Sequence, residues 1–136
     1  VIACVSPIGI FLGRVANFIN GELIGKSTSL PWSVIFKSFD TNPRHPSQLY
    51  EAVLEGVVLF LIMKSVIFKK NYKFGECSCL FLIFYGVFRI ISEIFREPDL
   101  HIGYFFNYFS MGTILSFMMI FFGLVMFYYL RKKDEI

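Results

Sequence analysis

The sequence predicts an all-α fold, a multi-pass transmembrane helical bundle. Hydrophobic residues make up 56% of the 136-residue chain, whereas a soluble domain averages about 45–50% apolar residues. The clearest apolar stretch, Met111 to Leu130, contains no charged residue, and as a helix it is long enough to cross a bilayer core of about 30 Å. Tyr128 and Tyr129 close this stretch and Arg131–Lys133 follows it, the aromatic belt and basic anchor that are typical of a membrane span.

Four spanning helices are predicted, at residues 1–19, 46–68, 75–95 and 110–130. Pro46 suits the first turn of the second helix, where its missing N–H costs no hydrogen bond. Glu55 and Lys64 interrupt the apolar pattern of that helix, although Lys64 lies near its end and can extend toward the headgroups. Pro98, shortly after the third helix, is a typical stop signal. We expect the four helices to form one membrane domain over residues 1–136.

A polar segment from Asn20 to His45 joins the first two helices. It is long for a connection, and long connections without secondary structure are usually functional or disordered. Pro31 and Trp32 are expected at the headgroup level, where tryptophan is enriched.

Basic residues predict the orientation of the bundle. They cluster at Lys69–Lys73, between the second and third helices, and at Arg131–Lys133 near the C-terminus. The positive-inside rule places both clusters in the cytoplasm. The Asn20–His45 loop then lies on the outer side, where polar residues of the first three helices meet at one depth.

A stripe of polar residues marks the third helix. Tyr85, Arg89 and Glu93 recur every four residues and therefore share one helix face. An ion at bilayer depth costs at least about 2.5 kcal/mol, so such residues usually have a function. Two interpretations are open: an intrahelical Arg89–Glu93 pair that neutralises itself, or a glutamate that holds Arg89 ready for an anion.

The end of the first helix supplies a second polar group. Arg14 and Asn17 are three residues apart on one face, and a guanidinium matches phosphate with paired donors. The backbone near Gly21 and Gly25 is a further source of N–H donors for a headgroup. The alternative is an interfacial arginine followed by a helix C-cap at Asn20 and Gly21.

The start of the second helix contains His45, the best candidate for a base by its ordinary pKa. A histidine at a helix start is also commonly a capping or solvated residue. Glu51 is a candidate partner of Arg44, and Glu55 is expected to face another helix without an assigned role.

Composition argues against several other classes of site. The spacing Cys77-Ser-Cys79 lacks the ligand count of a zinc site, and the three cysteines are expected to pack as small apolar residues, with a reactive or metal-binding role as the alternative. The net charge is only +3, and the sequence has no basic run with interleaved aromatic residues and no Gly-rich phosphate loop, which argues against nucleic acid. The sequence predicts no metal site and no organic cofactor.

The run from Gly13 to Gly25, GRVANFINGELIG, resembles the signature G-R-x-[GA]-N-F-x-N-x-E-x-x-G of the bacterial prolipoprotein diacylglyceryl transferases. Every fixed position is present. Residues 44–51 and 85–99 are similar to two further blocks of that family, in the same order.

The resemblance implies an enzyme of the bacterial inner membrane with its site toward the periplasm. Such enzymes move the diacylglyceryl group of phosphatidylglycerol to the lipobox cysteine in the signal peptide of a prolipoprotein. The implied catalytic residues are Arg14, His45, Tyr85, Arg89 and Glu93. The implied residues of the phosphatidylglycerol site are Arg14, Asn17, Asn20, Glu22, Gly25 and Arg89.

Members of the family are longer and carry an upstream His-Gly-Gly block that this sequence lacks. We therefore expect the chain to correspond to the C-terminal half of such a protein, without the histidine that best suits thiol activation, and expect no turnover by this piece alone. The competing function is non-enzymatic: a transporter or assembly subunit with an anionic-lipid pocket. Transporters favour sites near the membrane midplane, whereas the polar residues here gather toward one interface.

Overall fold

Helices dominate the computed structural model, which describes residues 2–69, 73–97, 104–105 and 109–132. Long apolar runs form helices because a helix satisfies its backbone hydrogen bonds internally. The predicted ends agree with the observed ones to within about two residues. The helical elements are α1 (Ile2–Asn20), α2 (Ser47–Glu51), a π-helical segment (Ala52–Val58), α3 (Leu59–Ile67), α4 (Glu76–Glu93) and α5 (Met111–Lys132).

Two of these helices, α1 and α5, are long and apolar enough to cross a membrane by length and composition. The described part of the chain is mostly helical, as predicted. Four features of the predicted pattern lie outside the described residues, namely Val1, Lys70, Pro98–Asp99 and Lys133.

The second predicted helix is continuous from Ser47 to Ile67, but its middle is a π-helix. Nothing in the apolar pattern indicates this widening, which lies where the helix crosses α1 closely. A Cβ at Gly56 would lie 2.7 Å from the Cβ of Phe11. Segments of π-helix are rare and occur frequently at functional sites. This one begins directly after Glu51 and contains Glu55.

Small residues let α4 and α5 pack closely along their length. A Cβ at Gly86 would lie 2.9 Å from the Ser116 carbonyl oxygen, and one at Gly123 would lie 3.0 Å from that of Cys79. Such close backbone approach is typical of helix pairs in membranes. Close packing at these glycines therefore holds α5 against α4, and this contact needs no polar interaction.

The ends of this helix pair differ in chemistry. At one end, Arg131 Nη2 lies 2.8 Å from Glu76 Oε1, and the Lys73 backbone N–H donates to Glu76 Oε2. At the other end, a Cβ at Gly112 would lie 3.2 Å from Glu93 Oε2. The basic residues before α4 and at the end of α5 thus share one end of the bundle.

Three sulfur atoms meet inside the bundle. Cys77 Sγ lies 2.9 Å from Cys4 Sγ of α1 and 3.6 Å from Met63 Sδ of α3. Cys77 and Cys79 are buried and Cys4 is half-buried, and all three are free thiols. The predicted packing role is confirmed for the two buried cysteines.

The α1 helix ends in a Schellman motif. Gly21 has a φ of 68°, its N–H donates to the Phe18 carbonyl, and the Glu22 N–H donates to the Asn17 carbonyl. This confirms the predicted C-cap. It also commits the Gly21 N–H, which is therefore not a free donor for a headgroup.

The all-α prediction needs one correction, because the loops contain short strands. Buried loop backbone must find hydrogen-bond partners, and the chain supplies them by pairing loop segments. Gly25 also bridges to Arg96, which ties the first long loop to the end of α4. The antiparallel pairs are β1 (Val34–Ile35) with β2 (Pro43–Arg44), and β3 (Tyr104–Phe105) with β4 (Phe109–Ser110).

Candidate functional site

Five charged side chains meet where α1, the start of the second helix and α4 come together. We call them the charge cluster: Arg14, Glu51, Glu55, Arg89 and Glu93. The Glu51 and Glu55 side chains are only 1% and 0% exposed, and the other three are largely covered. Polar groups from three helices therefore converge as predicted, except that the second helix contributes Glu51 and Glu55 and not His45.

Glu51 lies at the centre of the charge cluster. Its Oε2 is 2.8 Å from Arg14 Nε and 2.9 Å from Arg89 Nη1. One carboxylate oxygen therefore bridges two guanidiniums from different helices. The predicted pairing of Glu51 with Arg44 is wrong, because α2 turns Glu51 toward α1 and α4.

Glu55 and Glu93 complete the contacts of the two arginines. Glu55 Oε2 is 3.3 Å from Arg14 Nη2, and Glu55 Oε1 is 3.6 Å from Arg89 Nη1. Glu93 Oε2 is 3.4 Å from Arg89 Nη2. The intrahelical Arg89–Glu93 pair exists, but it is not self-contained, since Arg89 also contacts both glutamates of the neighbouring helix.

The charge cluster holds more carboxylates than guanidiniums. Three carboxylates face two guanidiniums among the described residues. Fully ionised, the cluster carries one unit of negative charge. Burying charge is costly unless it is paired. An anion that enters would add to this excess of negative charge.

A cavity of about 220 Å³ opens beside the cluster, lined by Ile10, Gly13, Arg14, Asn17 and Tyr85. Three predicted site residues, Arg14, Asn17 and Tyr85, thus face one space. The Tyr85 ring stacks on Phe81 with centroids 5.7 Å apart, which fixes its plane along α4.

Arg44 belongs to a separate network that holds the first long loop together. Its Nη2 lies 2.6 Å from Asp40 Oδ2, and its Nη1 donates to the Gly25 carbonyl and lies 3.3 Å from Glu97 Oε2. The hydrogen bond from Arg44 holds the pKa of Asp40 below its ordinary value of 3.8. The same bond raises the pKa of Arg44.

Gly25 is packed rather than open. A Cβ there would lie 2.8 Å from His45 Cβ and 2.9 Å from the Phe95 carbonyl oxygen. The Asn20 and Glu22 side chains are exposed, while the Glu22 carbonyl accepts a 2.6 Å hydrogen bond from Gln48 Nε2. The contacts of these residues explain how the loop is held, and their predicted contact with lipid stays a prediction.

His45 lies in an aromatic group at the edge of the loop. Its Nδ1 is 3.1 Å from Tyr50 Oη, and Trp32 Nε1 donates to the same oxygen. The Phe95 ring packs edge-on against the imidazole. Within the described part of the chain, the ring of His45 contacts these aromatic side chains and not the charge cluster, so its role as a base stays a prediction.

Sequence reasoning missed Glu51 and Glu55 as members of the site. The signal was their four-residue spacing beside Gln48, which puts all three on one helix face. Gln48, Glu51 and Glu55 are each 1% exposed or less. Across the described part of the chain, no group of three or more His, Cys, Asp or Glu residues is placed to hold a metal ion.

Comparison with known proteins identifies close similarity along the chain. The family model described as prolipoprotein diacylglyceryl transferase matches residues 1–129. Relatives named phosphatidylglycerol–prolipoprotein diacylglyceryl transferase include those of Rickettsia bellii strain OSU 85-389, 55% identical over 99% of this chain and 51% of the relative, and Aeromonas hydrophila, 45% identical over 99% and 49%. The Rickettsia felis relative is 54% identical over 90% and 48%. The chain spans about half the length of these relatives.

Proposed function

Because the chain belongs to the prolipoprotein diacylglyceryl transferase family, we propose that it acts in transfer of the diacylglyceryl group of phosphatidylglycerol to the lipobox cysteine of a prolipoprotein. Its relatives carry both substrates in their names. This reaction is the first step in maturation of bacterial lipoproteins. The family resemblance that the Gly13–Gly25 run predicted is confirmed by the comparisons.

The proposed reaction is a displacement at a glycerol carbon. The cysteine sulfur forms a bond to that carbon, and the carbon–oxygen bond to the phosphate breaks with its electron pair on oxygen. The products are a diacylglyceryl thioether and glycerol-1-phosphate, and the thiol proton passes to a base. The thiolate is the nucleophile, so a base and a stabilised leaving group are both needed. No cofactor is required by this balance.

One observation carries the proposal: guanidiniums of Arg14 and Arg89 approach the same carboxylate oxygen from two helices. Two cations held around one oxygen position suit a phosphodiester, whose negative charge grows on the departing oxygen. Glu93 orients Arg89. Asn17 and Tyr85 line the adjoining cavity, where the glycerol headgroup is proposed to lie.

The remaining predicted residues have more distant proposed roles. Asn20, Glu22 and Gly25 shape the loop that borders the headgroup site. His45 is the candidate proton acceptor that this chain offers, and its ring is positioned by Tyr50 and Phe95.

We also propose that four helices cross the inner membrane, with the site toward the periplasm and the C-terminus in the cytoplasm. The contact between Arg131 and Glu76 supports this arrangement, because it brings the basic end of α5 to the start of α4. The charge cluster lies toward the opposite end of α4. Positive-inside orientation therefore puts the cluster on the outer side.

The direct test is transfer of radiolabelled phosphatidylglycerol to a lipobox peptide, followed by thin-layer chromatography. It should be run on this chain and on a chimera in which the chain replaces the matching half of the Rickettsia bellii relative. We expect thioether product from the chimera, and none when the lipobox cysteine is replaced by serine. An inserted chimera that binds phosphatidylglycerol but forms no product would contradict the enzymatic proposal and favour a non-enzymatic lipid-binding subunit.

A further inference from the structure

The bridging position of Glu51 has a consequence for how an anionic lipid enters. We propose that the lipid phosphate replaces Glu51 between Arg14 and Arg89, and that the glutamates of the charge cluster take up one proton when it does. This inference rests on the proposed function, since it assigns a binding event to the same site.

Replacement is required because a carboxylate already occupies the space between the two guanidiniums. Arg14 Nε and Nη2 face Glu51 and Glu55, and Arg89 Nη1 and Nη2 face Glu51 and Glu93. An anion that binds both guanidiniums at the position of Glu51 Oε2 must therefore displace that carboxylate.

Release of Glu51 alone would expose a donor on each of the two arginines. Its Oε2 is the oxygen closest to Arg14 and also the oxygen closest to Arg89. When it withdraws, Arg14 keeps Glu55 and Arg89 keeps Glu93 as partners. One phosphate oxygen at the vacated position would contact donors on both guanidiniums, while each arginine stays oriented by its remaining glutamate.

The charge of the cluster explains why one proton is taken up. The cluster already has one carboxylate more than it has guanidiniums, and a phosphodiester adds another negative charge. Within an apolar surrounding this repulsion is large compared with the same charges in water. A proton taken from water by the displaced carboxyl restores the original balance, and the resulting O–H can donate to a phosphate oxygen.

Charged groups face Glu51 from each helix packed around it: Arg14 from α1, Glu55 from the π-helical segment and Arg89 from α4. Glu93 of α4 lies against Arg89, and Tyr85 of α4 lies beside Arg14 in the adjoining cavity. The described part of α5 approaches Glu93 through Gly112, which carries no titratable group. Both oxygens of Glu51 are buried without a hydrogen-bond partner among the described atoms. Oε2 is the oxygen that faces the two guanidiniums, so the proton is assigned to Oε1.

The test is lipid binding across pH. The purified chain in dodecylmaltoside micelles is titrated with phosphatidylglycerol, and separately with phosphatidylcholine, from about pH 5.5 to 8.5. Uptake of one proton on binding predicts that the phosphatidylglycerol Kd rises by about tenfold per pH unit wherever the lipid-free cluster lacks that proton and the lipid complex holds it. Phosphatidylcholine binding should be weaker, because that headgroup carries no net charge.

Two variants test whether Glu51 is the group that takes up the proton. Glu51→Gln keeps the side-chain shape but has no carboxylate to protonate, so its Kd for phosphatidylglycerol should lose the pH dependence. Glu76→Gln is the matched control, because it also removes one buried carboxylate from an arginine pair but lies at the other end of α4. It should keep the pH dependence of the unmodified chain.

The outcomes are distinct. A phosphatidylglycerol preference that does not change with pH, or a Glu51→Gln chain with the unmodified slope, overturns the replacement mechanism and leaves the proposed function standing. Absence of any preference for phosphatidylglycerol overturns both. If Glu51→Gln does not fold, Glu55→Gln is used with the unmodified chain. A pH slope in the unmodified chain that Glu55→Gln reduces supports proton uptake by the cluster.

Discussion

Arg89 contacts three carboxylates, and this geometry depends on its planar fork of donors. Lysine offers a single ammonium that cannot meet Glu51 and Glu93 from opposite sides in the same way. Arg89→Lys in the chimera should lower transfer by roughly 10²–10³-fold, the usual cost of losing one preorganised donor to a developing oxyanion.

The measurement for this variant is product formed per inserted protein, so that loss of membrane insertion is not mistaken for loss of chemistry. Arg131→Lys is the control, because that arginine also pairs with a glutamate but is half exposed at the far end of the bundle. Transfer by Arg89→Lys within a few-fold of the unmodified chimera would contradict the paired-donor role.

Asp40 gives the loop a defined sensitivity to acid. Its pKa is lowered in the folded protein by the hydrogen bond from Arg44, so the carboxylate stabilises the loop above the ordinary value of 3.8. This contribution falls as the pH drops below 3.8 and through the lowered value. We expect the protection of amide hydrogens in residues 21–45, measured against the intrinsic exchange rate at each pH, to fall in that window.

Asp40→Asn should show weaker amide protection than the unmodified chain at neutral pH and no further loss of protection on acidification. Lys37→Gln, an exposed change in the same loop, serves as the control for a general effect of charge. Equal exchange in the unmodified chain and in Asp40→Asn at neutral pH would show that the Asp40–Arg44 pair does not hold the loop.

At the scale of elements, Gly25 sets the distance between the first loop and the end of α4. A side chain there has no room between His45 and the Phe95 carbonyl. Gly25→Ala should therefore lower the free energy of unfolding by about 1–3 kcal/mol, the usual cost of overpacking. Gly9→Ala is the matched control, because nothing lies within 4 Å of a Cβ at that position.

Thermal unfolding in detergent, followed by circular dichroism, compares these two alanine variants. A Gly25→Ala chain as stable as Gly9→Ala would mean that the loop does not pack against α4 as described.

The contact between α1 and α4 can be trapped chemically. Cys4 Sγ and Cys77 Sγ are 2.9 Å apart, so the oxidant diamide should convert the two thiols into a disulfide while the diamide is reduced. Peptide mapping without reductant should recover a Cys4–Cys77 crosslink. Cys79, buried at 0% exposure, should remain a free thiol in the same sample, and a dominant crosslink to Cys79 would contradict the packing.

At the scale of the whole molecule, the proposed orientation predicts which residues an impermeant reagent can reach. Cys4, Cys77 and Cys79 are first replaced by alanine. In spheroplasts, Lys37→Cys should react with an impermeant maleimide, because the loop faces the periplasm, whereas Lys69→Cys should react only after lysis. Both positions are exposed, so a reversed pattern would invert the topology.

The sequence predicts the helices well because their length follows from the bilayer and their ends from charge and proline. It also predicts that Arg14 and Arg89 lie at one depth, because the predicted topology puts both toward the outer ends of their helices. It does not predict the partners of Glu51, because spacing indicates neighbours along the chain, such as Arg44, and not residues of helices that pack later. The π-helical segment was missed for a similar reason: it accompanies the contact between Gly56 and Phe11.

Gly112 is the point at which the last helix approaches the charge cluster. A methyl group at this position would lie 3.2 Å from Glu93 Oε2, tighter than an ordinary contact, and would push that carboxylate toward Arg89 or out of its reach. The position of the Glu93 carboxylate therefore depends on Gly112 of the neighbouring helix having no side chain. Screens for residues that govern the proposed reaction should therefore include glycines that lie against the charge cluster.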